Sequence, residues 1–239
     1  MKIVILLPTY NEKDNLPLMV EAICQLKPQI DIFVIDDNSP DGTGKVAENL
    51  REKYRNISVI HRKNKEGLGR AYIHGFYEAM AANYDKVITM DCDFSHDPKY
   101  LVRMVELSKQ YDLVLGSRYV PGGGVDGWSL WRKFISRGGN IYARIFLNLR
   151  YKDLTGGFKC YDVKVLRSMN LASLCSQGYT FQVETTYRIH NQGYRIKEFP
   201  IVFKDRVYGE SKMSFDIAWE AIKILPRLRF YNKREKKYE

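Results

Sequence analysis

The chain of 239 residues contains only four cysteines, Cys24, Cys92, Cys160 and Cys175. They are scattered, and no two of them form a C-x-x-C pair. A disulfide framework needs a denser set of cysteines and a thiolate metal site needs closely spaced pairs, so the sequence predicts neither. The pattern favours a reducing compartment such as the cytoplasm.

Long apolar runs are also missing. No stretch reaches the roughly 18 consecutive apolar residues of a membrane-spanning helix, so we expect no transmembrane segment. The apolar run over residues 1–8 is too short for a signal peptide and lacks its flanks, and it predicts a first β-strand. No G-x-G-x-x-G follows that strand, which argues against a dinucleotide-binding fingerprint.

Acidic residues are in the minority. Lys and Arg number 38 against 28 Asp and Glu, which gives a net charge of +10 and a pI of about 9.3. Such a balance favours anionic partners, namely nucleotides, phospholipid surfaces or nucleic acid. Hydrophobic residues make up 45% and charged residues 28% of the chain, as in a globular protein with a buried core.

The first half of the chain alternates strand and helix patterns. Short apolar segments predict five strands, at 3–7, 32–35, 57–60, 87–90 and 113–116. Amphipathic segments lie between them, so we expect an α/β fold with a parallel sheet covered on both faces. Ligands of such sheets bind beyond the carboxyl ends of the strands. The polar clusters follow those ends, at 8–12, 36–41, 91–97 and 117–118.

Asp91 and Asp93 directly follow the fourth predicted strand. Residues two apart in an extended chain point to the same side, so we expect both carboxylates to face one way and Cys92 to turn inward. Neighbouring carboxylates repel unless a cation lies between them, and Mg²⁺ or Mn²⁺ prefers oxygen ligands that it shares with substrate phosphates. Taken alone, the D-x-D pair also fits acids that merely crowd the solvated end of a strand.

Eight motifs follow one another along the chain: P-T-Y-N-E, D-D-N-S-P-D-G-T, G-L-G-R-A, D-C-D-F-S-H-D-P, G-S-R-Y, W-R-K-F-I-S-R-G-G-N, D-L-T-G-G-F-K and R-V-Y-G-E-S-K-M. In this order they resemble the inverting GT-A glycosyltransferases, and among them the polyprenol-phosphate (dolichol-phosphate) mannose synthases. The resemblance covers residues 2–230. It implies a GT-A nucleotide-sugar-binding fold, a mostly parallel sheet flanked by helices with C-terminal amphipathic interfacial helices. It also implies transfer of mannose, with inversion, from GDP-mannose to polyprenyl (dolichyl) phosphate.

On the donor side, the resemblance implies two walls of a nucleotide site. Their residues follow the first and second predicted strands: Pro8, Tyr10, Glu12, Asp36 and Asp37. The first three match the segment that holds the base and the ribose, and the two carboxylates suit ribose hydroxyls or a base N–H. Helix capping is the alternative role for acids in the second turn.

The resemblance assigns the metal and the diphosphate as well. Asp91 and Asp93 match the pair that holds Mg²⁺ or Mn²⁺ against the GDP phosphates, with Ser95 as a weaker neutral ligand. Arg206 and Lys212 lie in a loop that would close over the diphosphate, although a plain surface loop is the alternative. Residues 180–184 would lie near the sugar.

The acceptor side is basic and aromatic. Arg118 follows the fifth strand, and Arg132, Ser136, Asn140 and Arg144 recur every four residues as one polar stripe of a predicted helix. Arginine suits bidentate phosphate recognition, and by resemblance Arg118, Arg132 and Ser136 hold the acceptor phosphate. The nucleophile is an anionic lipid phosphate that needs orientation rather than a general base, so the catalytic set would be Asp93, Arg118 and Arg132. An ordinary solvated polar face is the alternative for the helix.

A last helix is predicted from Phe215 to Pro226, followed by a basic and aromatic tail. Such a tail suits an anionic membrane surface, and a charged, frayed end fits equally. We therefore predict one catalytic domain, 1–230, and a basic tail, 231–239. The protein would lie peripherally on the cytoplasmic face of the membrane, alone or with a separate membrane-anchoring subunit.

Other functions stay open at this point. The same reaction could use UDP-glucose or another UDP-sugar, although the D-C-D-F-S-H-D-P and G-G-G-V-D-G-W segments favour mannose. A nucleic-acid-binding protein would also explain the net charge of +10, but it predicts one contiguous basic face. Here the basic residues cluster beside acids, so we expect no nucleic-acid partner. The acids and Arg132 likewise argue against a catalytically silent membrane adaptor.

Overall fold

The computed structural model describes residues 1–27, 29–174, 178–205, 225–226 and 228–229. The predicted loop with Arg206 and Lys212, most of the helix predicted from Phe215 to Pro226, and the tail over 231–239 lie outside the described residues. Cys24, Cys92 and Cys160, the cysteines within the described part, are free thiols.

The described strands are β1 (Ile3–Thr9), β2 (Asp31–Asp36), β3 (Ile57–His61), β4 (Lys86–Thr89), β5 (Leu113–Ser117), β6 (Gly124–Val125), β7 (Lys159–Asp162), β8 (Ile196–Pro200) and β9 (Val202–Phe203). The described α-helices are α1 (Asn15–Cys24), α2 (Thr43–Lys53), α3 (Leu68–Ala81), α4 (Tyr100–Ser108), α5 (Leu130–Leu147), α6 (Val163–Ser168) and α7 (Gly178–Asn191). All five strands predicted from the apolar segments are present.

Seven of the strands form one sheet in the order β3-β2-β1-β4-β7-β5-β8. The sheet is mostly parallel, as predicted, but β7 runs antiparallel to both of its neighbours, β4 and β5. Its residue Cys160 lies opposite Ile88 on one side and Val114 on the other. The sequence pattern did not predict β7 because its few residues follow two glycines and resemble the end of a turn.

The two faces of the sheet are both buried. On one face Leu6 and Ile35 pack against α3, and on the other Leu7 and Val34 pack against α1. α3 lies especially close to the sheet at Gly75, where a Cβ atom would come within 2.7 Å of Leu6 and Ile35 side-chain carbons. This packing explains why the strands are apolar throughout rather than alternating. The parallel pairing of β1 with β2 brings their carboxyl ends side by side, with Thr9 opposite Asp36.

α5 packs with its polar side inward. Ser136 and Asn140 are buried, and the Asn140 amide donates to Thr155 Oγ1 at 2.9 Å and accepts from the Leu154 backbone N–H at 2.7 Å. The solvated polar face considered as an alternative is therefore wrong for these two residues. Leu147, near the end of the helix, is buried as well. Six other large apolar side chains are exposed, and we call them the outer apolar stripe: Leu130, Trp131, Phe134, Ile141, Tyr142 and Ile145.

Within the part of the chain that the structure describes, no helix has both the length and the apolar character that a bilayer span requires. A second, two-stranded sheet pairs β6 with β9, in register from Gly124 opposite Val202 to Val125 opposite Phe203. It fastens the segment that enters α5 to the segment that follows β8. Two parts of the chain distant in sequence thereby meet at the edge of the site described next.

Candidate active site

The carboxyl ends of β1 and β2 bring the predicted nucleotide residues together. Pro8 lies opposite Ile35 in the sheet, and the Asp37 backbone N–H donates to the Thr9 carbonyl at 3.1 Å. Asp36 is buried and accepts hydrogen bonds from Ser39, at 2.5 Å from the hydroxyl and 3.2 Å from the backbone N–H. Asp36 therefore shapes the turn without capping α2, which begins at Thr43, while it lines the same end of the sheet.

The remaining residues of this wall are held by ionic and hydrogen-bonding partners. Asp37 forms a buried ion pair with Arg62. Burial raises the pKa of Asp37, and the Arg62 hydrogen bond and charge oppose this rise only partly. The Tyr10 ring lies 3.4 Å from Lys65 Nζ, and Glu12 Oε2 accepts from Asn15 Nδ2 at 2.7 Å. An aromatic face with a cation and a partly covered carboxylate suits the polar edge of a nucleoside.

The acid pair lies in a bent loop rather than on an extended strand. β4 already ends at Thr89, and the chain turns at Phe94, which adopts a left-handed φ of 60°. The expectation that Asp91 and Asp93 project from one extended segment is therefore wrong. The loop instead covers Asp93, which is 3% exposed, and leaves the Asp91 side chain 29% exposed. Cys92 is buried, as predicted.

Each carboxylate of the pair is oriented by a neighbouring hydroxyl. Asp93 Oδ1 accepts from the Ser95 backbone N–H at 3.0 Å and from the Ser95 hydroxyl at 2.5 Å. Ser95, predicted above as a third metal ligand, is fully buried and directs its hydroxyl to Asp93. The Tyr72 hydroxyl donates to Asp91 Oδ1 at 3.3 Å. The loop thus presents two preorganised carboxylates of which Asp91 is the more accessible.

The acids fit a magnesium-type site. Within the described residues, no cluster of three or more His, Cys, Asp or Glu side chains is arranged to hold a metal ion. Mg²⁺ does not require such a cluster, because proteins usually bind it through one or two carboxylates together with water and substrate phosphates. Two oriented carboxylates, one of them accessible, provide this donor set.

Arg118 and Asp153 form a second buried ionic group beside the acid pair. Arg118 donates through Nε at 2.7 Å and Nη2 at 2.6 Å to the two carboxylate oxygens of Asp153, and also to Thr155 Oγ1 at 2.8 Å. Burial raises the pKa of Asp153, but the charge and hydrogen bonds of Arg118 outweigh it and hold the pKa below its usual range. Arg118 is therefore charged and fixed in orientation.

Three aromatic side chains connect the acids to the arginines, and we call them the aromatic bridge: His96, Phe203 and Trp128. The His96 ring lies 3.9 Å from the Asp91 carboxylate and 5.1 Å from the Phe203 ring centre. Phe203 in turn lies 5.3 Å from Trp128. Burial lowers the pKa of His96, although Asp91 and Asp93 oppose the shift. The aromatic bridge therefore has the carboxylates at its His96 end.

The other end of the aromatic bridge carries both predicted arginines. The Trp128 ring centre lies 5.5 Å from Arg118 Cζ and 4.1 Å from Arg132 Cζ. Arg132 also pairs with Asp205, whose Oδ1 accepts from Arg132 Nη1 at 2.8 Å. Ser136, the third residue predicted for the acceptor, accepts a hydrogen bond from the Tyr119 hydroxyl at 2.7 Å. The predicted acids and arginines therefore share one region of the surface.

Two buried donors at this end have no hydrogen-bond partner among the described residues. They are Trp128 Nε1 and Arg132 Nε. Both groups can only donate, and a buried donor without an acceptor costs about 1–3 kcal/mol. A ligand oxygen bound here would supply the missing acceptor. Sequence reasoning did not select Trp128 because its spacing fits an apolar helix face.

The Gln182 side chain is a further unpartnered polar group, near the acid pair. Gln182 is 2% exposed, and neither its amide nitrogen nor its oxygen has a partner within the described residues. The position of a Cβ on Gly157 would lie 3.5 Å from Gln182 Nε2 and 3.9 Å from Asp91 Oδ1. The missing side chain of Gly157 therefore leaves space between an amide and a carboxylate, which can hydrogen-bond a polyhydroxylated ligand.

Lys159 holds the backbone of Gln182 in position. Its ammonium nitrogen is buried and donates to the Gln182 carbonyl at 2.6 Å and to Thr186 Oγ1 at 3.0 Å. Burial lowers the pKa of Lys159 to about 7, although the charge of Asp153 opposes the shift. A lysine within an apolar strand segment gave no sequence signal for this role, because its partners come from α7.

This buried lysine predicts a specific pH dependence of stability. Between pH 7 and the ordinary lysine pKa of 10.5, the unfolded chain binds a proton that the folded chain does not. The free energy of unfolding should therefore rise with pH in this window, by up to about 1.4 kcal/mol per pH unit, and the contribution should be constant below pH 7. We expect Lys159→Met to lose this rise in urea denaturation at pH 7 and 9. The exposed-site variant Lys109→Met should keep it, and equal slopes for both variants would contradict the assignment.

Solved structures with this fold include glucosyl-3-phosphoglycerate synthase from Mycobacterium tuberculosis. Its complex with phosphoglyceric acid matches with a TM-score of 0.70 and 16% identity, over 95% of this chain and 79% of that chain. Its complex with Mg²⁺ and UDP matches with a TM-score of 0.69 and 17% identity, over 95% and 79% of the two chains. The predicted GT-A fold is thus confirmed, and at this identity the likeness concerns the fold alone.

The family model described as glycosyl transferase family 2 matches residues 4–169. A relative named undecaprenyl-phosphate mannosyltransferase, from Micrococcus luteus, is 44% identical over 93% of this chain and 91% of that protein. Another, named polyprenol monophosphomannose synthase, from Mycolicibacterium smegmatis, is 42% identical over 88% of this chain and 80% of that protein. The chain therefore belongs to glycosyl transferase family 2.

Proposed function

We propose that the protein transfers mannose, with inversion, from GDP-mannose to a polyprenyl phosphate such as dolichyl phosphate. One observation carries the proposal: the aromatic bridge joins the Asp91–Asp93 pair to Arg118 and Arg132 within one region. Donor and acceptor both carry phosphate and repel each other. Cationic groups on both sides of the reacting atoms would overcome that repulsion and orient the acceptor for attack. The names of the two relatives support this substrate class.

We assign the donor to the carboxyl ends of β1, β2 and β4. Its nucleoside would lie against five residues at the first two strand ends: Pro8, Tyr10, Glu12, Asp36 and Asp37. Asp91 and Asp93 would hold a divalent cation, Mg²⁺ or Mn²⁺, with Ser95 keeping Asp93 in position. When bound, that cation would neutralise the charge that develops on the leaving diphosphate. The hexose would lie in the space beside Gly157, within reach of Gln182. Arg206 and Lys212 keep their proposed role at the diphosphate.

We assign the acceptor phosphate to the end of the aromatic bridge that carries Trp128 and Arg132. Arg132 Nε and Trp128 Nε1 are the donors that a phosphate oxygen would satisfy, and the fixed charge of Arg118 lies beside them. Ser136 supports this end through Tyr119. The acceptor is already an anion, so its orientation by Arg118 and Arg132 requires no general base among the described side chains.

The outer apolar stripe supports attachment to a membrane. Trp131 and Phe134 are 61% and 72% exposed and stack on each other with ring centres 6.0 Å apart. Aromatic and aliphatic side chains on one helix face, next to basic residues, are typical of helices that lie in the plane of a membrane interface. We propose that the protein, as one catalytic domain, lies peripherally on the cytoplasmic face through α5, with or without a separate anchoring subunit.

The donor is tested by turnover. We expect the purified protein with Mg²⁺ or Mn²⁺ to use GDP-mannose and not UDP-glucose on one polyprenyl phosphate in detergent, measured as radiolabelled lipid product. Exclusive use of a UDP-sugar would overturn the donor assignment while keeping the reaction class. Salt-sensitive binding of nucleic acid without any sugar transfer would instead favour the nucleic-acid-binding alternative.

The role of the Trp128 N–H is tested by a substitution that removes it. Trp128→Phe keeps an aromatic ring between Phe203 and Arg132 but loses the donor to the acceptor phosphate. A hydrogen bond to a charged group contributes about 1.5–3 kcal/mol, so we expect KM for polyprenyl phosphate to rise about tenfold or more. KM for GDP-mannose should stay unchanged. The matched control is Trp131→Phe, on the outer apolar stripe, and an equal KM for the acceptor in both variants would contradict the role of the Trp128 N–H.

A further inference from the structure

A cavity of about 260 Å³ lies on the flank of α5. Its lining is shared between the helix and two other segments of the chain: Tyr119, Arg137, Asn140, Ile141, Arg144 and Lys152. None of the residues assigned above to the metal, the nucleotide or the hexose lines it. It touches the acceptor side through Tyr119, whose hydroxyl donates to the Ser136 hydroxyl, and through Asn140, whose amide donates to the Ser136 carbonyl at 2.9 Å. The cavity is therefore a separate feature of the surface.

The charge of this cavity is one-sided. Three of its lining side chains are cations, Arg137, Arg144 and Lys152, and no acid lines it. Within the described residues, none of the three side chains forms an ion pair with an acid. The nearby acids are used elsewhere: Asp153 binds Arg118, and Glu198 accepts from the backbone N–H groups of Lys152 and Asp153 at 2.9 Å. Three uncompensated cations around one concavity favour a phosphate.

The position of the cavity on α5 indicates the source of that phosphate. Arg137, Ile141 and Arg144 are spaced i, i+4 and i+7, so they lie on one side of the helix. Ile141 belongs both to the cavity and to the outer apolar stripe. The cations therefore flank the stripe along the helix axis. When a helix lies in a bilayer interface with its apolar face toward the acyl chains, the cations that flank this face are level with the lipid phosphates.

We propose that this cavity binds the phosphate of an anionic membrane lipid, separately from the reacting acceptor. Arg137, Arg144 and Lys152 would contact the phosphate oxygens, while the outer apolar stripe enters the acyl region beside them. Such binding would fix the rotational orientation of α5 about its own axis at the membrane surface. The inference concerns attachment, and it does not depend on which sugar or acceptor the protein uses.

The test measures binding to vesicles that contain no polyprenyl phosphate and no nucleotide sugar. The variant Arg137→Gln/Arg144→Gln/Lys152→Gln removes the three cations of the cavity. The matched control, Lys45→Gln/Arg51→Gln/Lys53→Gln, removes three exposed cations from α2, which packs against β3 at the opposite edge of the sheet. Both variants have the same net charge, so a difference between them reports on position. Circular dichroism and Tm confirm that each variant is folded.

We expect the cavity variant to bind phosphatidylglycerol-containing vesicles at least about tenfold more weakly than the wild type, because each cation near an anionic surface contributes about fivefold. The control should change less than half as much on a logarithmic scale. Binding to phosphatidylcholine vesicles should be the same for all three proteins. Equal losses in the two variants, or no binding of the wild type to anionic vesicles, would overturn the proposal.

Titration with inorganic phosphate distinguishes the source of the ligand. If the cavity variant loses affinity for inorganic phosphate while its vesicle binding equals that of the control, the cavity is a site for a soluble phosphate and the lipid assignment is wrong. Mannosyl transfer in detergent is measured in parallel. Because the vesicle assay involves no catalysis, failure of this inference leaves the proposed reaction intact, and absence of transfer leaves this inference intact.

Discussion

Asp91→Asn should lower kcat for mannosyl transfer by about a thousandfold. Raising the Mg²⁺ concentration should not restore it. In the proposed function, the substitution removes one of the two negative charges that would hold the cation against the diphosphate. Electrostatic contacts to the reacting groups contribute about 10²–10³-fold each. Product formation under saturating donor and acceptor measures it. Binding of Mn²⁺ to the GDP complex, followed by electron paramagnetic resonance, should weaken in parallel.

Asp91 is the better member of the pair for this test. Its side chain is partly exposed and contacts Tyr72 and His96, and an asparagine oxygen and amide can retain these contacts in part. Asp93 instead organises the turn through Ser95, so its replacement would change the loop as well as the charge. Asp97→Asn is the matched control in the same loop, where Asp97 pairs with Lys99 at 2.9 Å. A near-wild-type kcat in Asp91→Asn would contradict a metal-binding role for Asp91.

Arg132→Gln should raise KM for polyprenyl phosphate by about a hundredfold and leave KM for GDP-mannose nearly unchanged. The guanidinium lies over Trp128 and has a buried Nε without a partner among the described residues. Loss of a charge-assisted contact to the acceptor phosphate costs about 2–3 kcal/mol, which corresponds to this change. Initial rates at varied acceptor concentration in detergent micelles measure it.

The control for this prediction is the ion-pair partner. Asp205→Asn breaks the same ion pair, in which Asp205 is 43% exposed, but leaves the guanidinium in place. Exposed pairs contribute little to stability, so both variants should fold normally. We expect Asp205→Asn to leave the acceptor KM unchanged or lower it, since the arginine is then freer to bind phosphate. An equal rise in both variants would assign the effect to the ion pair rather than to acceptor binding.

Arg118 is a poor site for the same experiment. Its guanidinium neutralises Asp153, which is 1% exposed. Removing one partner of a buried ion pair costs about 3–5 kcal/mol, because the other charge stays buried without compensation. An inactive Arg118 variant would therefore not distinguish a lost acceptor contact from a lost fold. Arg132 and Trp128 are therefore the informative positions for testing the acceptor side.

The strand ends to which we assign the donor could largely be predicted from short segments. Apolar, β-branched runs specify buried strands through local propensity and burial, and polar residues at their carboxyl ends meet wherever neighbouring strands are parallel. This logic placed Asp36, Asp37, Asp91 and Asp93 at one edge of the sheet. It gave the wrong geometry for the acid pair, because β4 ends at Thr89 and the turn at Phe94 is stabilised by hydrogen bonds within the loop.

The sequence by itself determined the alternation of strands and helices, the order of the motifs and hence the family, since these depend on local pattern. Only the tertiary structure decided that β7 inserts antiparallel between β4 and β5, that Lys159 supports Gln182, and that α5 turns Ser136 and Asn140 inward and the outer apolar stripe outward. The physical reason is that polar periodicity defines a helix face but not its partner. Here the loop at Leu154 and Thr155 supplies hydrogen bonds to Asn140 on the polar face, and the outer apolar stripe stays at the surface.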